Sequence, residues 1–386
     1  MYPLSLLRLP HQRTPKVPII SGIDEVICSE REPPQLPLSN HQHSHVQQSE
    51  QLFALSAPSH SAQILISGTI VWAHHEIEQL KQYGEVVQLT STSRQQFYDE
   101  LQTKYANTVA IYRHNDSAGK IGFFDKELID RLPSTVKFIC HNGAGYDQID
   151  VSAATARGIQ VSHTPAAVDD ATATTALFLI VSSLRQFWKA EVNARKGVFK
   201  QGLQPASDPE GKTLGIIGMG GIGGAVAKRA LGFDMKIKYH NRREIQPPPS
   251  FPCEYVSTMD ELLATSDVVS LNLPLNDKTA NSFGKKQFSK MKVGSVLINT
   301  ARGGVVEQEA FINALNSGKL SSAGLDVYPE EPKIDQRLID MPNVTLLPHM
   351  GTETRETQHK MEVLVIDNIK SAISSGKLLN QVHEQK

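Results

Sequence analysis

Thr213-Leu214-Gly215-Ile216-Ile217 followed by Gly218-Met219-Gly220-Gly221-Ile222-Gly223 decides the fold of this chain. A buried apolar run ends in a Gly-x-Gly-x-x-Gly turn and opens into a helical pattern over Ile222 to Leu231, with a further strand pattern over Lys236 to Tyr239. The first glycine permits a tight turn, and the second lets backbone N–H groups approach a pyrophosphate. The third lets the helix pack close to the strand, and the helix N-terminus favours the phosphate charge. Gly218, Gly220, Gly221, Ile222 and Gly223 are therefore read as cofactor contacts. At the tip of the following strand an acidic residue would accept a ribose hydroxyl, but Asn241 stands there, followed by Arg242 and Arg243. With no carboxylate to repel a 2′-phosphate and two arginines to grip one, NADP is expected over NAD.

Outward from this motif, strand patterns recur at Val268 to Leu271, Ser295 to Ile298, Ala323 to Val327 and Val344 to Leu347, with helical patterns between them. Six strands alternating with helices suit a doubly wound parallel sheet. A separate α/β series precedes it: Gln63 to Ile66, Val86 to Leu89, Thr108 to Ile111 and Val136 to Ile139, with helices such as Ile77 to Gln82 and Lys126 to Leu132. A long helical stretch from about Asp170 to Arg195 joins the two, and a last helix from about Glu353 to Ser375 can cross back to the first.

The totals agree with two domains: 386 residues, with 39 basic and 40 acidic side chains for a net charge of -1. No basic cluster offers a nucleic-acid surface, and no apolar run is long enough to span a membrane. Cys28, Cys140 and Cys253 lie far apart and read as reduced thiols, and no metal site is expected. Residues 1–61, rich in Pro, Ser, Gln and His, read as a disordered extension. Its His41-x-His43-x-His45 run reads as solvated tail. Arg8, Arg13 and Lys16 without acids faintly suggest a mitochondrial address, whereas Pro3, Pro10, Pro15 and Pro18 would break the helix such an address needs. A cytoplasmic protein is expected, with a mitochondrial location left open.

Reducing a ketone by hydride needs a proton donor, a cation for the acid group, and a carboxylate to keep the donor charged. Arg302, Glu331 and His349 each follow a strand end of the second series, where a doubly wound sheet faces its ligand crevice. Trp72 and Trp188 are read as packing residues, and Asp147, Asp150, Asp169 and Asp170 as caps or surface charges.

Five ordered motifs carry a resemblance over about Gln63 to the C-terminus. They are Asn142-Gly143-Ala144-Gly145-Tyr146-Asp147 with His163-Thr164-Pro165, Gly218 to Gly223, and Asn299-Thr300-Ala301-Arg302-Gly303-Gly304. The last two are Gly324-Leu325-Asp326-Val327 with Glu331-Pro332, and Pro348-His349-Met350-Gly351. Together they resemble the D-isomer specific 2-hydroxyacid dehydrogenase family, and within it the glyoxylate and hydroxypyruvate reductase branch.

The resemblance implies an α/β chain of two doubly wound parallel-sheet domains, a Rossmann cofactor domain and a flavodoxin-like substrate domain, with the active site in the cleft between. Residues 62–165 with 352–386 would form the substrate domain and 166–351 the dinucleotide domain. It also implies roles. Arg302 would bind the substrate carboxylate, His349 would exchange the proton, and Glu331 would raise the histidine pKa. Ala144 and Gly145 would cradle the carboxylate by backbone N–H. Asp326, Thr300 and Ala301 would lie by the nicotinamide, with Leu273, Pro274, Thr172 and Gly351 along the cofactor. A homodimer follows from the family. His163 replaces a frequent Asn, and the acidic selector is missing. Glu331 counts against a formate dehydrogenase, and the short C-terminus against many phosphoglycerate dehydrogenases. A bulkier 2-keto acid, or a dinucleotide-sensing corepressor of the same fold, are the alternatives. Substrate choice is expected to rest on open loops at Tyr112-Arg113-His114 and Asn142-Gly143.

Overall fold

The computed structural model describes residues 62–386, so the extension and its histidines lie outside the described residues. Five parallel strands form the first sheet: β1 (Gln63–Ser67), β2 (Glu85–Gln88), β3 (Thr108–His114), β4 (Phe138–Asn142) and β5 (Gln160–Ser162). Their order, β2-β1-β3-β4-β5, is the flavodoxin-like doubly wound arrangement. The second sheet has seven: β6 (Thr213–Ile217), β7 (Lys236–His240), β8 (Glu254–Tyr255), β9 (Val268–Leu271), β10 (Ser295–Asn299), β11 (Leu320–Leu325) and β12 (Val344–Leu346). It runs β12-β11-β10-β9-β6-β7-β8, the Rossmann order with an added strand. All pairs are parallel, and the strand order reverses between β6 and β9, the switch point at which a doubly wound sheet opens a crevice at its carboxyl ends.

Strands buried on both faces read as continuous apolar runs, which is why β9 and β10, buried throughout, lie where the sequence pattern puts them. Several helices start on side-chain caps: Asp125, Asp150, Thr258 and Thr354 each accept a backbone N–H from the first turn. The joining stretch is two helices, Asp169–Arg185 and Phe187–Arg195, broken at Gln186, whose φ is 54°. The Arg355–Ser375 helix ends at Gly376 with φ 72° and packs its Val365, Ile366 and Ile369 on Ala110, Tyr112 and Cys140 of the first sheet.

Three readings are corrected. The fourth strand of the first sheet lies at Phe138–Asn142, displaced from Val136–Ile139, because His141 and Asn142, polar as they are, are buried strand residues. Tyr112 and Arg113 are not loop residues: both are fully buried in β3, and only His114 at its end is partly open. Trp72 and Trp188 are 40% and 37% exposed and so are not core packing.

Candidate active site

The glycine turn is shaped by its backbone. Gly218 has φ 95°, and a Cβ there would fall 2.5 Å from the Asn272 carbonyl at the end of β9. A Cβ on Gly223 would meet the Gly218 carbonyl at 2.4 Å, whereas one on Gly220 would meet nothing. The crowded positions are closed by protein, and Gly220 is open. The N–H groups of the first turn of Gly221–Leu231 have no carbonyl within their own helix. A dinucleotide fits this end: open space at Gly220, free donors at a helix start, and two buried side-chain atoms without a partner among the described residues, Asn272 Oδ1 and Thr300 Oγ1.

Asn241 braces the same turn, its Oδ1 accepting the Met219 N–H at 2.7 Å. Arg242 and Arg243 are exposed, and neither forms an ion pair among the described residues. Leu273, Pro274, Ile222, Thr300, Ala301 and Arg302 share a cavity of about 680 Å³ with Ala144, Gly145 and Asp147. The backbone of Ala301 is engaged within its own turn, its N–H donating to Asn299 Oδ1 (3.0 Å) and its carbonyl accepting from Arg302 Nη1 (2.8 Å).

Arg302 follows β10 and crosses the cleft, its Nε donating to Asp147 Oδ1 at 2.9 Å. A Cβ on Gly145 would stand 2.1 Å from Arg302 Nη2, so the small residue there makes room for the guanidinium. Ala144 and Gly145 give their carbonyls away, to His163 Nδ1 (2.9 Å) and His141 Nε2 (3.0 Å). Their N–H groups take no acceptor among the described residues. Asp147, read as a surface charge, is in fact the partner of Arg302, and its side chain is only 20% exposed. A short-range sequence signal could not reveal this, since its partner lies 155 residues away.

His349 and Glu331 meet as an acid–imidazole pair, Nδ1 to Oε2 at 2.7 Å, while Glu331 Oε1 accepts the Tyr328 N–H at 2.8 Å. The hydrogen bond to Glu331 raises the His349 pKa above its ordinary value, outweighing desolvation and the repulsion of nearby Arg302. Partial burial raises the Glu331 pKa, but the bonds from His349 and Tyr328 bring it below the usual range. With Nδ1 occupied, Nε2 is the nitrogen left to face a ligand. The turn itself is fixed by buried Asp326, whose two oxygens accept the N–H groups of Met350 (2.6 Å) and Gly351 (2.8 Å). Thr172 closes against Gly351 from the Asp169–Arg185 helix. Asp326 thus spends its carboxylate on the loop that carries His349, and burial pushes its pKa up.

Among the described residues no group of three His, Cys, Asp or Glu side chains could hold a metal ion, and no helix is long and apolar enough to cross a membrane.

Known proteins resemble this chain in sequence and in fold. Residues 177–351 match the model of the D-isomer specific 2-hydroxyacid dehydrogenase NAD binding domain. The chain is 47% identical to 4-methyl-2-oxopentanoate reductase A of Aspergillus oryzae, over 83% of its own length and 98% of that protein's. The crystal structure of a glyoxylate reductase from Paecilomyes thermophila superposes with a TM-score of 0.82 at 49% identity, covering 84% of this chain and 99% of the other. An NADPH-dependent glyoxylate/hydroxypyruvate reductase of Sinorhizobium meliloti, solved with NADP and malonate, gives a TM-score of 0.74 at 30% identity, over 84% and 98%.

Proposed function

The chain belongs to the D-isomer specific 2-hydroxyacid dehydrogenase family, and on that premise we propose that it reduces a small 2-keto acid, glyoxylate or hydroxypyruvate, to the D-2-hydroxy acid with NADPH. The observation that carries the reading is a histidine whose pKa a carboxylate raises, near enough to Arg302 to feel its charge, with Arg302 lying against Gly145 and the N–H groups of Ala144 and Gly145 without an acceptor among the described residues. The nicotinamide dinucleotide, when bound, supplies or accepts the hydride. Gly218, Gly220, Gly221, Ile222 and Gly223 hold its diphosphate, Leu273, Pro274, Thr300 and Thr172 lie along it, and Arg242 and Arg243 take the 2′-phosphate.

Arg302 and the N–H groups of Ala144 and Gly145 bind the substrate carboxylate and so orient the keto group. His349, as imidazolium, gives its Nε2 proton to the carbonyl oxygen, and Glu331 stabilises the charge it starts with. In the oxidative direction the neutral ring takes that proton back. In this reading residues 62–165 with 352–386 form the substrate domain and 166–351 the dinucleotide domain. A homodimer is supported by Phe178, Phe187 and Trp188, exposed at 50%, 43% and 37% along the two joining helices.

A bulkier keto acid is the second reading, favoured by the similarity to 4-methyl-2-oxopentanoate reductase A. A kinetic panel from glyoxylate to branched and aromatic keto acids decides between them, and no turnover with any of them would sink both. His349→Gln is expected to lower kcat about a thousandfold, with NADPH affinity unchanged.

A further inference from the structure

Beneath the 143–145 loop lies a fully buried pair, Arg113 on β3 and His141 on β4, directly opposite one another in the sheet. Neither touches substrate in the mechanism above. Arg113 makes no ion pair among the described residues. Its Nη1 and Nη2 reach the amide oxygens of Asn115 and Gln148, and its Nε has no partner. Burial pushes its pKa down to about 10, so it remains a cation at neutral pH. A buried cation is costly. The Asp147 and Asp116 carboxylates lie near enough to favour its charge without pairing with it, and the Phe124 ring centroid lies 5.7 Å from the guanidinium. The remaining polar contact is His141.

The His141 ring stands where its tautomer decides what it holds. Nε2 is 3.0 Å from the Gly145 carbonyl, and Nδ1 is 3.2 Å from Arg113 Nη1 and 3.3 Å from the Arg113 carbonyl. A guanidinium can only donate, so its contact with Nδ1 is a hydrogen bond only when Nδ1 is a lone pair, which puts the ring proton on Nε2. Were the guanidinium absent, Nδ1 could carry the proton to the Arg113 carbonyl, and the Nε2 lone pair would then repel the Gly145 carbonyl. The ring also fills the space under Gly143, where a Cβ would come within 2.5 Å of Nε2. Gly145 is therefore held from below by His141 and lies against Arg302 on its other side.

We propose that Arg113 and His141 are positioning residues of the keto-acid cradle: Arg113 fixes His141 as the Nε2–H tautomer, and that N–H anchors the Gly145 carbonyl so that the Gly145 N–H meets the substrate carboxylate beside Arg302. The proposal rests on the reading of the 143–145 loop as the carboxylate cradle. Burial, reinforced by the Arg113 charge, depresses the His141 pKa far below its ordinary value, so the ring is neutral across the working pH range.

Nitrogen NMR of the His141 ring in the wild-type protein with NADPH bound tests this without any substitution. A neutral Nε2–H ring is expected, and an Nδ1–H ring or an imidazolium at neutral pH overturns the proposal. In Arg113→Met the ring is expected to move to Nδ1–H, with KM for glyoxylate raised about tenfold, kcat changed less than about threefold, and NADPH affinity unchanged. Arg113→Lys restores a donor to Nδ1 and should recover most of the loss. An unchanged KM in Arg113→Met, or parallel falls in kcat and NADPH affinity, overturns the proposal as a general structural effect. Should Arg113→Met not fold, the wild-type tautomer and the Arg113→Lys kinetics decide. If the wild-type protein turns over no keto acid, the functional reading fails. The ring tautomer and the affinity for oxamate in the NADPH complex then still judge the positioning claim.

Discussion

The turn at Gly218–Gly223 is held by its own backbone, by a φ of 95° at Gly218 and a helix start, with one side-chain brace from Asn241. The loop at Gly143–Gly145 takes one backbone bond, from the Thr164 N–H to the Gly143 carbonyl, and otherwise rests on side chains: His141 of the strand that leads into it, His163 on one carbonyl, and Arg302 against Gly145. Both are glycine-rich and both, in the proposed reading, offer N–H groups to an anion. The difference lies in what each glycine makes room for. At Gly220 the space is open, whereas at Gly145 a protein guanidinium fills it.

That contrast yields the largest expected effect. In Gly145→Ala the new methyl collides with Arg302, and displacing the carboxylate-binding group should lower kcat/KM for glyoxylate about 100-fold while NADPH affinity stays within about twofold. In Gly220→Ala nothing in the protein is displaced, so Tm should hold while NADPH affinity falls about 30-fold as the methyl blocks the diphosphate. Calorimetry and titration of both variants check the pair. Equal loss of cofactor affinity in the two would break the comparison.

The same contrast explains what could be read from sequence. Backbone-held features leave a local signature: Gly218, Gly220 and Gly223 announce their turn, and the buried apolar runs of β6, β9 and β10 mark strands close to their observed limits. Side-chain-held features leave none. Arg113 and His141 look like surface residues because charged and polar side chains usually are, and so the first-sheet strand ends were read as open loops. The short edge strands β5 and β8 carry three and two residues, too few for any periodicity. The Asp147–Arg302 pair and the Asp326 bonds to Met350 and Gly351 join segments distant in sequence, and one chain without relatives to compare gives no trace of them. The residues proposed for the chemistry stand in motifs legible in the sequence; their partners Asp147 and His141 do not.

The His349 turn combines both means of support, a positive φ of 59° and a carboxylate on each side, Glu331 on the ring and Asp326 on the backbone. Glu331→Gln keeps the shape and removes the charge. Glu331 raises the His349 pKa, so in the proposed reading, where reduction consumes the proton on His349, reductive activity should be high below that pKa and fall as pH rises through it. In the variant this fall should move to lower pH, with kcat/KM for glyoxylate at neutral pH reduced about tenfold. Oxidation of the hydroxy acid needs the neutral ring, so its rise should move to lower pH as well. A pH profile that merely drops in height without shifting would show that Glu331 holds the turn rather than tuning the proton.

The smallest effect expected lies at the one place where the backbone-held turn leans on side chains. Asn241 Oδ1 accepts the Met219 N–H, which ties its side chain to the turn beside Arg242 and Arg243. Both are exposed, and an exposed cation–phosphate contact in water contributes at most about 1 kcal/mol. Arg242→Ser should therefore raise KM for NADPH about fivefold and leave KM for NADH where it was. Losses of equal size with both cofactors would place Arg242 in the support of the turn, alongside Asn241. A wild-type kcat/KM as high with NADH as with NADPH would remove the NADP preference altogether, and leave the glycine turn as the whole of cofactor recognition at this end of the cleft.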